Sequence, residues 1–138
     1  MRLVVNVDGG ARGNPGPAAI GVVISDPEGN VLEEVSEPIG VATNNVAEYR
    51  AVLRGISTAV AMGADELSII GDSELVARQL SGAYRVKNAA LAPLHEEALR
   101  ALRGLRWEIR SVPRHQNSRA DALVNRALDE LWKVRPTP

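Results

Sequence analysis

The chain has no cysteine, which excludes a disulfide framework, a thiolate zinc site and a cysteine nucleophile together. Phenylalanine is also absent, and the aromatic residues are Tyr49, Tyr84, Trp107 and Trp132. Leu, Val, Ile and Ala must therefore fill the core, and little is left for stacking single-stranded bases. No apolar run reaches membrane-spanning length, and the opening MRLVVNVDGG is too short in apolar residues for a signal peptide and lacks a small-residue cleavage site. A cytoplasmic protein with no membrane contact is expected. An excess of positive charge is missing too: the formal net charge is −1, which argues against the strong nonspecific nucleic-acid binding of basic domains. It leaves a nucleic-acid enzyme open, because divalent cations held by acidic side chains would turn the balance positive.

What is present is the balance of one soluble domain, 138 residues with 45% hydrophobic and 24% charged. The expected domain covers 1–133. Residues 134–138, VRPTP, cannot continue a helix and are expected to be a tail or the stub of a linker within a longer polypeptide. Leu3, Val5 and Val7 alternate with Val4, Asn6 and Asp8, so residues 2–8 read as a strand ending at Asp8. After the Gly- and Pro-rich connection GGARGNPGPA, strands are expected over 19–25 and 31–36, split by a turn at 26–30.

Helical spacing over 43–62 follows, with Val52, Ile56 and Val60 four apart, Asn45 as N-cap and Gly63 as the stop. Next come a buried strand at 67–70, a short helix capped by Ser73, a helix over 90–103, a strand through Trp107, Ile109 and Ser111, and a last helix from Ser118 to about Trp132. The order is βββαβααβα, an α/β chain. No apolar stripe is left over once the core is assigned, so a monomer is expected.

Four acids fall where such chains build sites: Asp8 and Asp72 at strand ends, Glu48 and Asp121 in the first turns of helices. Clustered carboxylates repel unless a cation neutralises them, and an oxygen-only donor set suits Mg²⁺, with Mn²⁺ as an alternative. Two such ions with substrate are the arrangement for phosphodiester cleavage without a side-chain nucleophile. Taken singly, each acid also has a structural account. Asn45 to Glu48 and Ser118 to Asp121 are capping-box spacings, Asp8 precedes a turn, and Asp72 can cap a helix.

Four local motifs carry the reading further. Asp8-Gly9-Gly10 followed by Gly13-Asn14-Pro15-Gly16-Pro17, Thr43-Asn44-Asn45 running through Ala47 into Glu48, Asp72-Ser73 after an apolar strand, and Val112-Pro113-Arg114 with Asn117 and Ala120-Asp121 occur in that order. Together they resemble the ribonuclease H type 1 family, in the short form of small bacterial and archaeal members. The resemblance spans residues 3–131 and implies a ribonuclease H-like fold, a five-stranded mixed sheet flanked by helices. It also implies an endonuclease that hydrolyses the RNA strand of RNA/DNA hybrids, leaving 5′-phosphate and 3′-hydroxyl ends.

By the same resemblance Asp8, Glu48, Asp72 and Asp121 are the metal ligands and catalytic acids. Gly10, Arg12, Asn14, Asn44 and Asn45 are minor-groove contacts, and Thr43 contacts a DNA phosphate. Only the RNA strand offers 2′-hydroxyls, which short polar groups and backbone can read; Gly and Asn are equally at home in turns and caps. Longer members insert a basic, Trp-rich handle where this chain has only residues 82–88, so fewer phosphates are neutralised and a shallower salt dependence is expected, with Arg85 and Lys87 as a remnant. His115 stands near the place of a mobile catalytic histidine of longer members, and it is a catalytic candidate beside the reading of a solvated loop residue. His95 is expected at the surface, and Asn125, one turn after Asp121, is placed to steady that carboxylate. Two rivals remain at this point: a non-catalytic duplex-binding module of the same fold, and a broader nuclease that also cuts double-stranded RNA.

Overall fold

The structure, a computed structural model, describes the backbone of residues 1–134 and side chains to Leu131; of the tail expected over 134–138, Val134 instead ends the last helix, and 135–138 lie outside the described residues. Five strands form one mixed sheet in the order β3-β2-β1-β4-β5. They are β1 (Arg2–Ala11), β2 (Gly16–Ser25), β3 (Val31–Ala42), β4 (Glu66–Gly71) and β5 (Arg106–Ser111). The first three form an antiparallel meander, and β4 and β5 add to β1 in parallel through helical crossovers. Helix α1 (Asn44–Ala61) makes the first crossover, α2 (Glu74–Leu80) and α3 (Ala92–Ala101) make the second, and α4 (Ser118–Val134) closes the chain. The element order and sheet agree with the sequence expectation.

Strand alternation explains the layers. Ile20, Val22 and Ile24 of β2 join Leu3, Val5 and Val7 of β1 under Val52, Ile56 and Ala59 of α1. The intervening Ala19 and Val23 face α4, packing on Val124, Leu128 and Leu123. This second layer needs small residues: a Cβ on Gly21 would collide with the Ala120 carbonyl. Among the described residues no helix is long and apolar enough to cross a membrane.

Several boundaries differ from expectation, and each has a cause. β1 does not end at Asp8 but runs to Ala11, because β2 continues to pair with it (Asp8 with Gly21, Ala11 with Ala18) after its parallel pairing with β4 stops at Asn6 and Ile70. The connection thus shrinks to four residues, closed by the Arg12 amide on the Pro17 carbonyl at 2.8 Å. β3 continues past Ser36 to Ala42 despite Pro38, which an edge strand tolerates because a missing N–H leaves no ladder bond broken inside the sheet. Thr43, not Asn45, caps α1, its hydroxyl accepting from the Val46 amide at 3.2 Å. Ser73 caps α2 as expected, leaving Asp72 free of that task. Pro93 in the first turn of α3 sets its start at Ala92, two residues later than periodicity suggested.

Candidate active site

With Thr43 as the cap, Glu48 lies beyond the first turn of α1 and the capping-box account of it fails. Its side chain turns toward the sheet, 9% exposed, against Asp8, 5% exposed. Helix and strand come this close because Gly9 has no side chain; a Cβ there would collide with the Ala47 carbonyl. Asp72 directly follows β4, two strand positions past Ile70, the residue paired with Asn6, so the sheet's own register carries it toward Asp8. One carboxylate oxygen from each of Asp8, Glu48 and Asp72 lies within 4.8 Å of the others. Asp121, in the first turn of α4, lines an open cleft of about 320 Å³ together with Asp8 and Glu48 and acts on Asp8 through charge and hydrogen bonding.

The electrostatics follow from this crowding. Burial, and then the charge of Asp72, raise Asp8 above the usual carboxylate range. Glu48 is raised as well, again by burial first and by the charge of Asp8 second. Such a set is costly when fully ionised and bare. An oxygen-only cluster of this kind fits a hard divalent cation, and no His or Cys competes for it among the described residues.

Other side chains hold these acids in place. The Asn125 amide lies 3.4 Å from the Asp121 carboxylate, as its one-turn spacing suggested. Asn117, 3% exposed, donates to the Val7 carbonyl at 2.8 Å and accepts from Asn6 at 3.1 Å. It therefore fastens the start of α4 to β1 one residue before Asp8. Arg114 reaches Asp72 from solvent, a pairing that spacing alone did not show, since 42 residues separate the two.

Of the expected substrate contacts, Gly10, Arg12 and Asn44 line the cleft with the acids. Asn14 and Asn44 spend their side-chain oxygens internally, Asn14 on the Asn44 amide at 3.0 Å and Asn44 on the Ala11 amide at 2.8 Å. This braces the loop on the start of α1 and leaves both Nδ2 groups without a partner among the described residues. Arg12 is paired with Asp129 at 2.6 Å. Thr43 and Asn45 are exposed at the start of α1. His115 is exposed in a single 3₁₀ turn, Arg114–Gln116, and does not line the cleft. His95 departs from the expected surface position: it is half-buried, bonded to the Gln79 carbonyl at 3.0 Å, because α3 packs this residue against α2.

Comparison with known proteins places this geometry in context. Residues 6–127 match a family model described as reverse transcriptase-like. Ribonuclease HI of Halobacterium salinarum is 44% identical over 130 residues, covering 94% of this chain and 65% of that protein. The crystal structure of RNase H1 from that archaeon superimposes with a TM-score of 0.92 at 43% identity, covering 94% of this chain and 99% of that one. A bifunctional protein of Mycobacterium tuberculosis is 44% identical over 131 residues, 94% of this chain but 36% of that protein. This chain thus spans between about one third and two thirds of the length of these curated relatives. LC11-RNase H1, solved in complex with an RNA/DNA hybrid, matches with a TM-score of 0.90 at 41% identity over 94% of this chain and 99% of that one.

Proposed function

The chain belongs to the ribonuclease H type 1 family, and from that premise we propose that it is a metal-dependent endoribonuclease acting on the RNA strand of RNA/DNA hybrids. The observation that carries the reading is the meeting of Asp8, Glu48 and Asp72 within 4.8 Å from three different elements, in a chain similar to one solved with a hybrid bound. A pure duplex binder gains nothing from buried negative charge facing phosphate.

Asp8, Glu48, Asp72 and Asp121 would hold the metal, Mg²⁺ or Mn²⁺. Two such ions held with substrate would supply activation of the attacking water and charge neutralisation at the leaving oxygen, the chemistry that yields 5′-phosphate and 3′-hydroxyl ends. The remaining work falls to the chain itself. Asn125 orients the Asp121 carboxylate, and Asn117 keeps α4 in register with β1. The Gly10 backbone, Arg12 and the Nδ2 amides of Asn14, Asn44 and Asn45 read 2′-hydroxyls in the minor groove. Thr43 and the amides at the start of α1 meet a DNA phosphate, as helix N-termini do. His115, exposed in the turn next to Arg114, would exchange protons with leaving product.

The catalytic domain is taken as residues 1–133, cytoplasmic and monomeric, with 134–138 a tail or linker stub. Sizing in solution tests the monomer. The activity is tested with end-labelled RNA/DNA hybrid, double-stranded RNA and double-stranded DNA in Mg²⁺, Mn²⁺ or EDTA, beside an Asp72→Asn variant. Metal-dependent cutting of the hybrid's RNA strand, lost in EDTA and in the variant, is the expected result; cutting of double-stranded RNA would widen the substrate class. A hybrid that is bound but never cut under either metal sinks the enzyme reading in favour of the binding module.

A further inference from the structure

Behind the carboxylates lies a buried polar ring that the proposed chemistry does not use. Tyr49, the residue after Glu48, is fully buried, and its hydroxyl donates to Oε1 of Gln79 at 2.6 Å. Gln79, 5% exposed, belongs to α2, the helix that begins directly after Asp72 and its neighbour Ser73. The Gln79 carbonyl in turn lies 3.0 Å from Nε2 of His95 on α3. A carbonyl can only accept, so this nitrogen carries the proton. The His95 ring closes the circuit edge-on against Tyr49, with ring centroids 6.5 Å apart. Three helices are tied at one point, and two of them adjoin a carboxylate of the site.

The sheet does not do this job for Glu48. Asp8 and Asp72 are registered by the pairing of β1 with β4, whereas Glu48 arrives on a helix held to the sheet by side-chain packing alone, with Val52, Ile56 and Ala59 in the core, and no ladder of hydrogen bonds fixes its rotation. A side-chain tip stands roughly 5–6 Å from a helix axis, so a turn of about 10° moves it by about 1 Å. Displacement on that scale is enough to spoil a coordination set or a reactive geometry. Tyr49 is a suitable stop, because its ring is fully buried and its hydroxyl is held by the Gln79 side chain.

We propose that Tyr49, through its bond to Gln79 and the His95 contact behind it, is a positioning residue that sets Glu48 against Asp72 for metal binding. The inference rests on the proposed metal-dependent activity. It is read without substrate or turnover, by calorimetric titration of Mn²⁺ into wild type, Tyr49→Phe, Gln79→Met and the double variant. Ile24→Val, a core truncation on β2 away from the cleft, serves as the control for lost stability. Tyr49→Phe keeps the ring and removes only the hydroxyl. We expect it to raise the Mn²⁺ dissociation constant roughly three- to tenfold, with Gln79→Met similar, the double variant no worse than either, and Ile24→Val unchanged. Unchanged Mn²⁺ affinity in Tyr49→Phe, or an equal loss in Ile24→Val, overturns the positioning role while leaving the activity standing. No Mn²⁺ binding by the wild-type protein removes the metal-dependent reading itself, and this inference with it.

Discussion

Nε of Arg114 lies 3.4 Å from Oδ2 of Asp72, with the arginine side chain 79% exposed and the aspartate 11%. A cation thus hangs from solvent over the mouth of the acid cluster, on a carboxylate that the proposed metal also needs. Exposed pairs of this kind are weak, so the arginine is easily displaced. Arg114→Ala is expected to tighten Mn²⁺ binding measured without nucleic acid by roughly two- to fivefold, the scale of one exposed ion pair. Weaker binding in that titration would give the guanidinium a supporting role in place of a competing one.

Asp8, pushed up to about 7 chiefly by burial and secondly by Asp72, makes the metal-free protein sensitive to pH. A carboxyl whose folded value is raised binds its proton more tightly folded than unfolded, so it favours folding at low pH. That advantage is lost as pH rises from the ordinary carboxylate range through neutrality. In EDTA the thermal midpoint is therefore expected to fall between pH 5 and pH 8. Asp8→Asn should raise the midpoint at pH 8 by roughly 5 °C and flatten the pH dependence. Scanning calorimetry at the two pH values decides it, and added Mn²⁺ should stabilise the wild type far more than the variant.

Gly9→Ala tests the approach of α1 to β1. The new methyl would meet the Ala47 carbonyl, a backbone atom that cannot step aside without moving the helix that carries Glu48. We expect a stability loss of about 3 kcal/mol or more in urea denaturation. Gly29→Ala, in open space but at a left-handed φ of 91°, should cost about 1 kcal/mol. A Gly9 variant as stable as wild type would mean that the helix has room to shift.

Arg85 and Lys87 are exposed in the short connection between α2 and α3 and have no ion-pair partner among the described residues. If they take up phosphates, the paired change to Ala should weaken hybrid binding and reduce the slope of log affinity against log salt by about one to two. The measurement uses the Asp72→Asn background, so that the hybrid stays intact. An unchanged slope would place the duplex elsewhere.

The elements most legible in the sequence are those with a strong period. Val52 and Ile56 announced the buried face of α1, although Val60 in the same series is exposed. Boundaries were legible only where a local signal agreed with the tertiary outcome, as at Ser73. At Gly9, Gly10 and Pro38 the residue types signal a break, yet the strands continue, because neighbouring strands supply partners to β1 and an edge strand does not miss the N–H of a proline. Asn45 and Thr43 are both capping residues, and nothing local to the sequence chooses between them.

By itself the sequence determined which residue types were available and in what order: an aliphatic core, no thiols, and four acids spread along a βββαβααβα series. Those properties depend on side-chain chemistry and short-range periodicity, which are local. The tertiary structure alone decided that Asp8, Glu48 and Asp72 share one small space, that Arg114 overhangs it, and that Tyr49, Gln79 and His95 close a ring behind it. Those contacts join residues 16 to 64 positions apart, and such distances are bridged only once β1 and β4 pair and α1 has settled across the sheet.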